Sequence, residues 1–252
     1  MNLTIGNDLA LAFSLLFARA GSVMMALPSL LGVALPVRIR LLLAGVMALG
    51  LMPLASVAQP GASGVLPITI LVVRELGVGV ALSFAAAIVV GAVMTAGSVI
   101  GGSMDLNTGA ILRADIESPN VLGDAWGVLA GLLFFVGGFH RMLLVALANS
   151  LTVAPLGTLS LPEPTLLLRV GGRMFALGLA LSLPLSVPLF VLSIAKGVIA
   201  RLAPQVNILI AAPAAVVTAG LVLLALDVSG LSVGIMRAWT SVMSQSLEWF
   251  NG

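Results

Sequence analysis

The chain has 252 residues, of which 60% are hydrophobic and 8% charged, with 11 basic against 9 acidic side chains and a mean hydropathy of +1.23. A soluble domain usually carries about 25% charge, so this composition excludes a soluble enzyme, a disordered chain and a coiled coil. It predicts an all-α bundle of apolar helices embedded in a membrane.

There is no cysteine and a single histidine, His140. A disulfide framework, a thiolate nucleophile and a Cys-type or poly-His metal site within the chain are therefore excluded, and no cofactor is expected. The high pI, about 10.4, reflects scarce charge. All the bases are arginine except Lys196, and no basic stripe interleaves with aromatics, so nucleic acid is not an expected partner. Residues 1–8 lack the positive n-region of a secretory signal, and the first apolar stretch is expected to be retained.

In chain order, the first apolar segment spans residues 9–35, with Arg19 inside it and Pro28 near its end. The second, 41–58, follows the basic turn Pro36-Val37-Arg38-Ile39-Arg40. The third, 68–101, carries Arg74 and Glu75. The longest polar loop, 102–124, comes next. The fourth segment, 125–154, holds His140 and Arg141. A Pro-rich connector leads to the fifth, 174–200, and the sixth is 206–226. A spanning helix needs about 20 apolar residues, so five or six spans are allowed.

Two features argue against a simple serpentine. With the N-terminus outside, Arg38, Arg40, Arg113, Lys196 and Arg201 fall inside while Arg169, Arg173 and Arg237 fall outside. Loop 102–124 also sets four acids against Arg113. That is a weak positive-inside signal. In addition, Pro184 and Pro188 are expected to break the fifth segment and Pro213 to interrupt the sixth, because proline removes a backbone donor and clashes with the preceding turn. GxxxG spacings at Gly97/Gly101 and Gly127/Gly131 fit close helix approach or ordinary membrane-helix glycine. The closing stretch, 231–250, gathers Ile235, Met236, Trp239, Val242, Met243, Ser246 and Phe250 near one helical face. It suits partner packing better than a membrane surface, since its polar face is poor in Lys and Arg.

Charges within apolar helices are functional hypotheses by default. Here they are Arg19, Arg74, Glu75 and Arg141, with His140 beside them. Adjacent positions on a helix point about 100° apart, so Arg74 and Glu75 do not face each other. Glu75 therefore needs another partner: Arg19, Arg38, a backbone nest or another subunit. A structural ion pair is favoured over a proton relay, which would need several ionisable groups at one depth. No Ser/His/Asp set, HExxH, Walker loop or paired intramembrane aspartates can be found, so the chain is not read as an enzyme.

Several ordered stretches go further. Arg19 is followed by Ala26-Leu27-Pro28, Gly32 and Val37-Arg38-Ile39-Arg40. Then come Glu75-Leu76-Gly77-Val78-Gly79, Ala96-Gly97-Ser98-Val99-Ile100-Gly101 and Leu133-Phe134-Phe135-Val136-Gly137-Gly138-Phe139-His140. Ser150 with Pro155-Leu156-Gly157 precedes Ala200-Arg201-Leu202-Ala203-Pro204-Gln205-Val206-Asn207. In this order they resemble the FliR family of flagellar biosynthetic proteins and its injectisome counterparts. The most specific is the last, with Arg201, Pro204, Gln205 and Asn207.

The resemblance implies a subunit of the type III export gate. With FliP-like and FliQ-like subunits, and alongside an FlhB-like one, it would build the pore that passes unfolded flagellar proteins across the bacterial inner membrane at the basal body. It implies a FliP-like part over residues 1–172 and a FliQ-like helical hairpin over 173–252, in a closed helical pore largely above the bilayer plane. Loop 102–112 resembles the family's plug, with Gly102, Met104, Asp105, Leu106, Gly109, Ile111 and Leu112 as its candidate residues. Where the family shows a Gln-Met-Gly-like start, this chain has Ser103-Met104-Asp105. The apolar members suit a flexible seal, methionine adapting to irregular gaps; an ordinary exposed loop is the plainer reading. The injectisome version of the same subunit fits the same residues. A small secondary transporter would predict an inverted repeat, which the halves do not display. An intramembrane enzyme would need the catalytic set that is absent.

Overall fold

The computed structural model describes residues 2–30, 35–56, 64–106, 120–157, 164–202 and 208–248. These form seven α-helices and one 3-10 turn. They are α1 (Asn2–Leu30), α2 (Val37–Leu51) with the 3-10 turn Met52–Leu54, α3 (Val65–Ser103), α4 (Val121–Val136), α5 (Phe139–Val153), α6 (Pro164–Leu202) and α7 (Ile208–Glu248). Five of them are long and apolar enough to cross a membrane, or six spans if the α4–α5 pair is one broken span.

Several sequence expectations change. The fourth segment is two helices, bent by 70°. The bend sits at Gly138, whose φ of +71° is a left-handed conformation open to glycine at no steric cost. The fifth segment is not broken: α6 runs unbroken through Pro184 and Pro188. Each proline removes one backbone bond, which bends a long helix without necessarily ending it. Pro213 likewise lies inside α7. The sixth segment and the closing stretch are one 41-residue helix. Gly230 costs roughly 1 kcal/mol there, and buried Leu231 and Ile235 on the next turn help hold the helix together.

The chain divides into two compact units. The first contains residues 1–88, 134–171 and 239–252, and the second 89–133 and 172–238.

In the first unit, α1 and α2 pair closely. A core of Ala12, Leu15, Leu16, Ala48, Leu71, Leu151 and Leu156 joins them to α3 and α5. Glycine permits the closest approach: a Cβ on Gly79 of α3 would fall onto the Ser22 hydroxyl and the Arg19 carbonyl of α1. The chain after α5 is pinned by Leu156 N–H donating to the Ser56 carbonyl at 3.1 Å. Buried Trp239 stacks on Phe139, with ring centroids 5.6 Å apart, and tilts against Phe134 at 4.8 Å.

In the second unit, α4 packs on the end of α3. A Cβ on Gly97 would stand 2.8 Å from the Leu122 carbonyl, and one on Gly127 would stand 2.9 Å from Met94. Gly178 of α6 lies equally close to the Ala92 carbonyl, and Gly234 of α7 to Leu181. Small residues at these crossings let backbones meet where apolar burial between helices has no advantage over lipid.

Candidate functional site

The charges singled out in the sequence come together in the first unit. Arg19 and Glu75 are both fully buried. Arg19 Nε donates to Glu75 Oε2 at 2.5 Å, and Nη2 lies 2.5 Å from the same oxygen. Nη1 donates to the Ser150 carbonyl and hydroxyl, each at 3.1 Å, and Nη2 to the Ala154 carbonyl at 3.0 Å. Four of the five guanidinium N–H groups thus donate to an identified acceptor, and the ion pair with Glu75 adds the close approach of Nη2. The Ser150 hydroxyl can accept from Arg19 because its own hydrogen goes to the Leu147 carbonyl. Glu75 Oε1 accepts from Gly157 N–H at 3.2 Å and lies 3.8 Å from Arg74 Nη1.

Local sequence explains this geometry. Arg19 lies on the buried stripe of α1 with Ala12, Leu15, Leu16 and Val23. Ala154 and Gly157 offer their backbone groups because α5 ends at Val153, and its last turn leaves carbonyls without helical partners. Gly157 adopts φ +83°, a turn that presents its N–H to the carboxylate. One ion pair therefore ties α1, α3, the end of α5 and the chain after it. Of the four partners open to Glu75, the structure joins it to Arg19 and to a backbone N–H, while Arg38 is exposed at the start of α2. Against the expectation from helix geometry, the long Arg74 side chain also comes back to within ion-pair distance of Glu75.

His140 follows the Gly138 corner, its ring 5.8 Å from Phe135 and 6.4 Å from Phe134. Arg141 is exposed. Neither joins the ion pair. Among the described residues no group of three or more His, Asp or Glu side chains is placed to hold a metal.

The second unit holds the root of the loop resembling a plug. The end of α3 is closed by Leu106 N–H bonding the Gly101 carbonyl and Asp105 N–H the Gly102 carbonyl, each at 3.1 Å, with Asp105 at φ +58°. That is a Schellman closure with an aspartate in the left-handed position. Met104 is fully buried, its side chain packed so tightly on Gly220 of α7 that a Cβ there would stand 2.6 Å from its Cγ. The Asp105 carboxylate accepts from Lys196 Nζ of α6 at 2.5 Å, both side chains being about a quarter exposed. Sequence reasoning counts Lys196 among the inner-side bases and does not pair it with Asp105; its position within the 174–200 apolar segment is the available signal. Gly102 and Leu106 are exposed. At the far side of the loop, Asn120 caps α4 by accepting from Gly123 N–H at 3.2 Å. Gly109, Ile111 and Leu112 lie outside the described residues, as do Pro204, Gln205 and Asn207. Arg201 is exposed in the last turn of α6.

These features define a class: a multi-pass, all-α membrane protein in which buried charge fastens helices together. Residues 10–244 match the family model described as bacterial export proteins, family 1, and the chain belongs to that family. It is 28% identical to a flagellar biosynthetic protein FliR of Caulobacter vibrioides over 97% of this chain and 99% of the relative. It is 32% identical to the FliR of Escherichia coli K12 over 62% of this chain and 60% of that one. With the FliR of Pectobacterium carotovorum it shares 30% identity over 77% and 72%.

Proposed function

We propose that this chain is a non-enzymatic subunit of the flagellar protein export gate in the bacterial inner membrane, building a pore with FliP-like and FliQ-like subunits beside an FlhB-like one. Unfolded flagellar proteins are its cargo. The observation that carries this reading is the match to a flagellar biosynthetic protein along nearly the whole of both chains. In this reading residues 1–172 form the FliP-like part and 173–252 the FliQ-like hairpin.

Helix length supports an assembly reaching beyond one bilayer. A 39-residue helix such as α3 or α6 rises about 58 Å, against a hydrocarbon core of about 30 Å. Exposed apolar side chains support it too: Phe175, Leu183, Val187, Phe190 and Val191 line α6 and are suited to partner helices. The loop that starts at Gly102 is the plug in this account, rooted by Met104 and Asp105.

Co-purification tests the reading. Affinity capture of the full chain from its own membranes is expected to bring down FliP-like and FliQ-like subunits as one stable complex. A solitary monomer that moves a small solute in proteoliposomes would replace the gate with a transporter.

A further inference from the structure

The first unit contains an apolar groove that the export reading does not use. It has a volume of about 560 Å³ and is lined by Phe17, Gly21, Ser22 and Met25 of α1, Leu41 of α2, and Leu76 and Val80 of α3, with Ala18 and Ala26. The lining residues of α1 recur at i, i+4 and i+8 and so form one stripe. Its one side-chain polar group, the Ser22 hydroxyl, already donates to the Arg19 carbonyl at 2.9 Å. Nothing in the groove asks for a polar ligand.

One end of the groove is basic. Arg40 of α2 donates to the Met25 carbonyl at 3.0 Å and to the Leu35 carbonyl at 2.9 Å, which fixes its guanidinium beside a lining residue. Arg38 is exposed and lies one turn before Leu41, on the same helical face. Both arginines sit in the first turn of a candidate membrane span, Val37–Leu54, where a headgroup would lie.

From this juxtaposition we infer that the groove binds a phospholipid with an anionic headgroup. An acyl chain lies between α1, α2 and α3, and the headgroup phosphate meets Arg38 and Arg40. The charge pattern is the one by which basic pockets between membrane helices select anionic lipid. The two arginines at one end of an otherwise apolar groove favour an anionic lipid as its occupant.

The test uses the full chain in its membrane complex, purified in mild detergent and titrated with dioleoyl phosphatidylglycerol or dioleoyl phosphatidylethanolamine, with native mass spectrometry as readout. Phosphatidylglycerol should be retained about fivefold better, the worth of roughly one cationic side chain at an anionic surface. Arg38→Gln should remove the preference and Arg38→Lys keep it. Gly21→Leu should lower retention of both lipids, since a side chain there meets no protein atom within 4 Å and enters the groove. Phosphatidylglycerol carrying a diazirine on its acyl chain should label Met25, Leu41 or Val80. Equal retention of the two lipids, variants that change nothing, or a label found only elsewhere would overturn the proposal. So would crosslinking of these positions to a partner polypeptide.

Discussion

Arg19 and Glu75, 56 residues apart in the chain, meet at 2.5 Å with neither side chain exposed to solvent. The carbonyls of Ser150 and Ala154 and the N–H of Gly157 complete the coordination. A buried pair is weak evidence of net stabilisation, because desolvation offsets much of the attraction. Its value here is in specification, since one guanidinium draws its acceptors from α3, from α5 and from the residue just past the end of α5.

Removing one partner strands the other in an apolar interior. Glu75→Ala or Arg19→Ala should each destabilise the chain by about 3–5 kcal/mol. The double variant Arg19→Leu/Glu75→Leu should cost clearly less than the sum. Thermal unfolding of the purified complex measures this cycle, and strictly additive losses would mean that the two side chains do not act as a pair.

The approach of α1 to α3 depends on Gly79. Gly79→Ala places a methyl group on the Ser22 hydroxyl and the Arg19 carbonyl, one of them backbone that cannot swing aside. A loss of about 1–3 kcal/mol is expected from overpacking, with reduced amounts of chain in the membrane. Gly21→Ala, where a Cβ meets nothing within 4 Å, is the matched control and should behave as wild type. Equal behaviour of the two variants would contradict the close crossing.

Asp105 and Lys196 are partly exposed, and such pairs contribute up to about 1 kcal/mol. Asp105→Asn keeps a residue that tolerates the left-handed backbone and removes only the charge. It should destabilise the complex by less than about 1 kcal/mol, and the difference from wild type should shrink in high salt. Lys196→Gln should cost about as much and add little on top of Asp105→Asn, whereas a loss unchanged by salt would assign the effect to something other than the ion pair.

If the loop rooted at Met104 closes the pore, deleting residues 107–112, which spares buried Met104 and the Asp105–Lys196 pair, should make membranes leak ions while the complex still assembles. Membrane conductance, with co-purification as the assembly control, measures this. An assembled complex with no added leak removes the plug assignment.

The apolar helices are legible in the sequence, and so are the charges that do not belong in them. Arg19 and Glu75 stand out because they are charges inside long apolar stretches. Their pairing is one of several options at that level, since the choice depends on where α1 crosses α3. The backbone partners are invisible there: the Ala154 carbonyl is free only because α5 ends where it does, and the Ser150 carbonyl accepts from Arg19 in addition to its bond from the Ala154 N–H. Pro184 and Pro188 mislead, because one lost backbone bond suggests a break where the remaining bonds of a 39-residue helix carry it through. Gly137-Gly138 misleads in the opposite direction: an apolar run hides a 70° corner. Lys196 counts as a loop base in the charge balance and stands inside α6, within the 174–200 apolar segment, where it reaches Asp105.

The most direct test of the export reading is complementation. In a strain deleted for this chain, flagellar proteins in the culture supernatant and swimming in soft agar should both be lost. Wild-type chain should restore both, and Glu75→Ala should restore far less. Undiminished flagellar secretion in the deleted strain would contradict a place for this chain in the flagellar export gate.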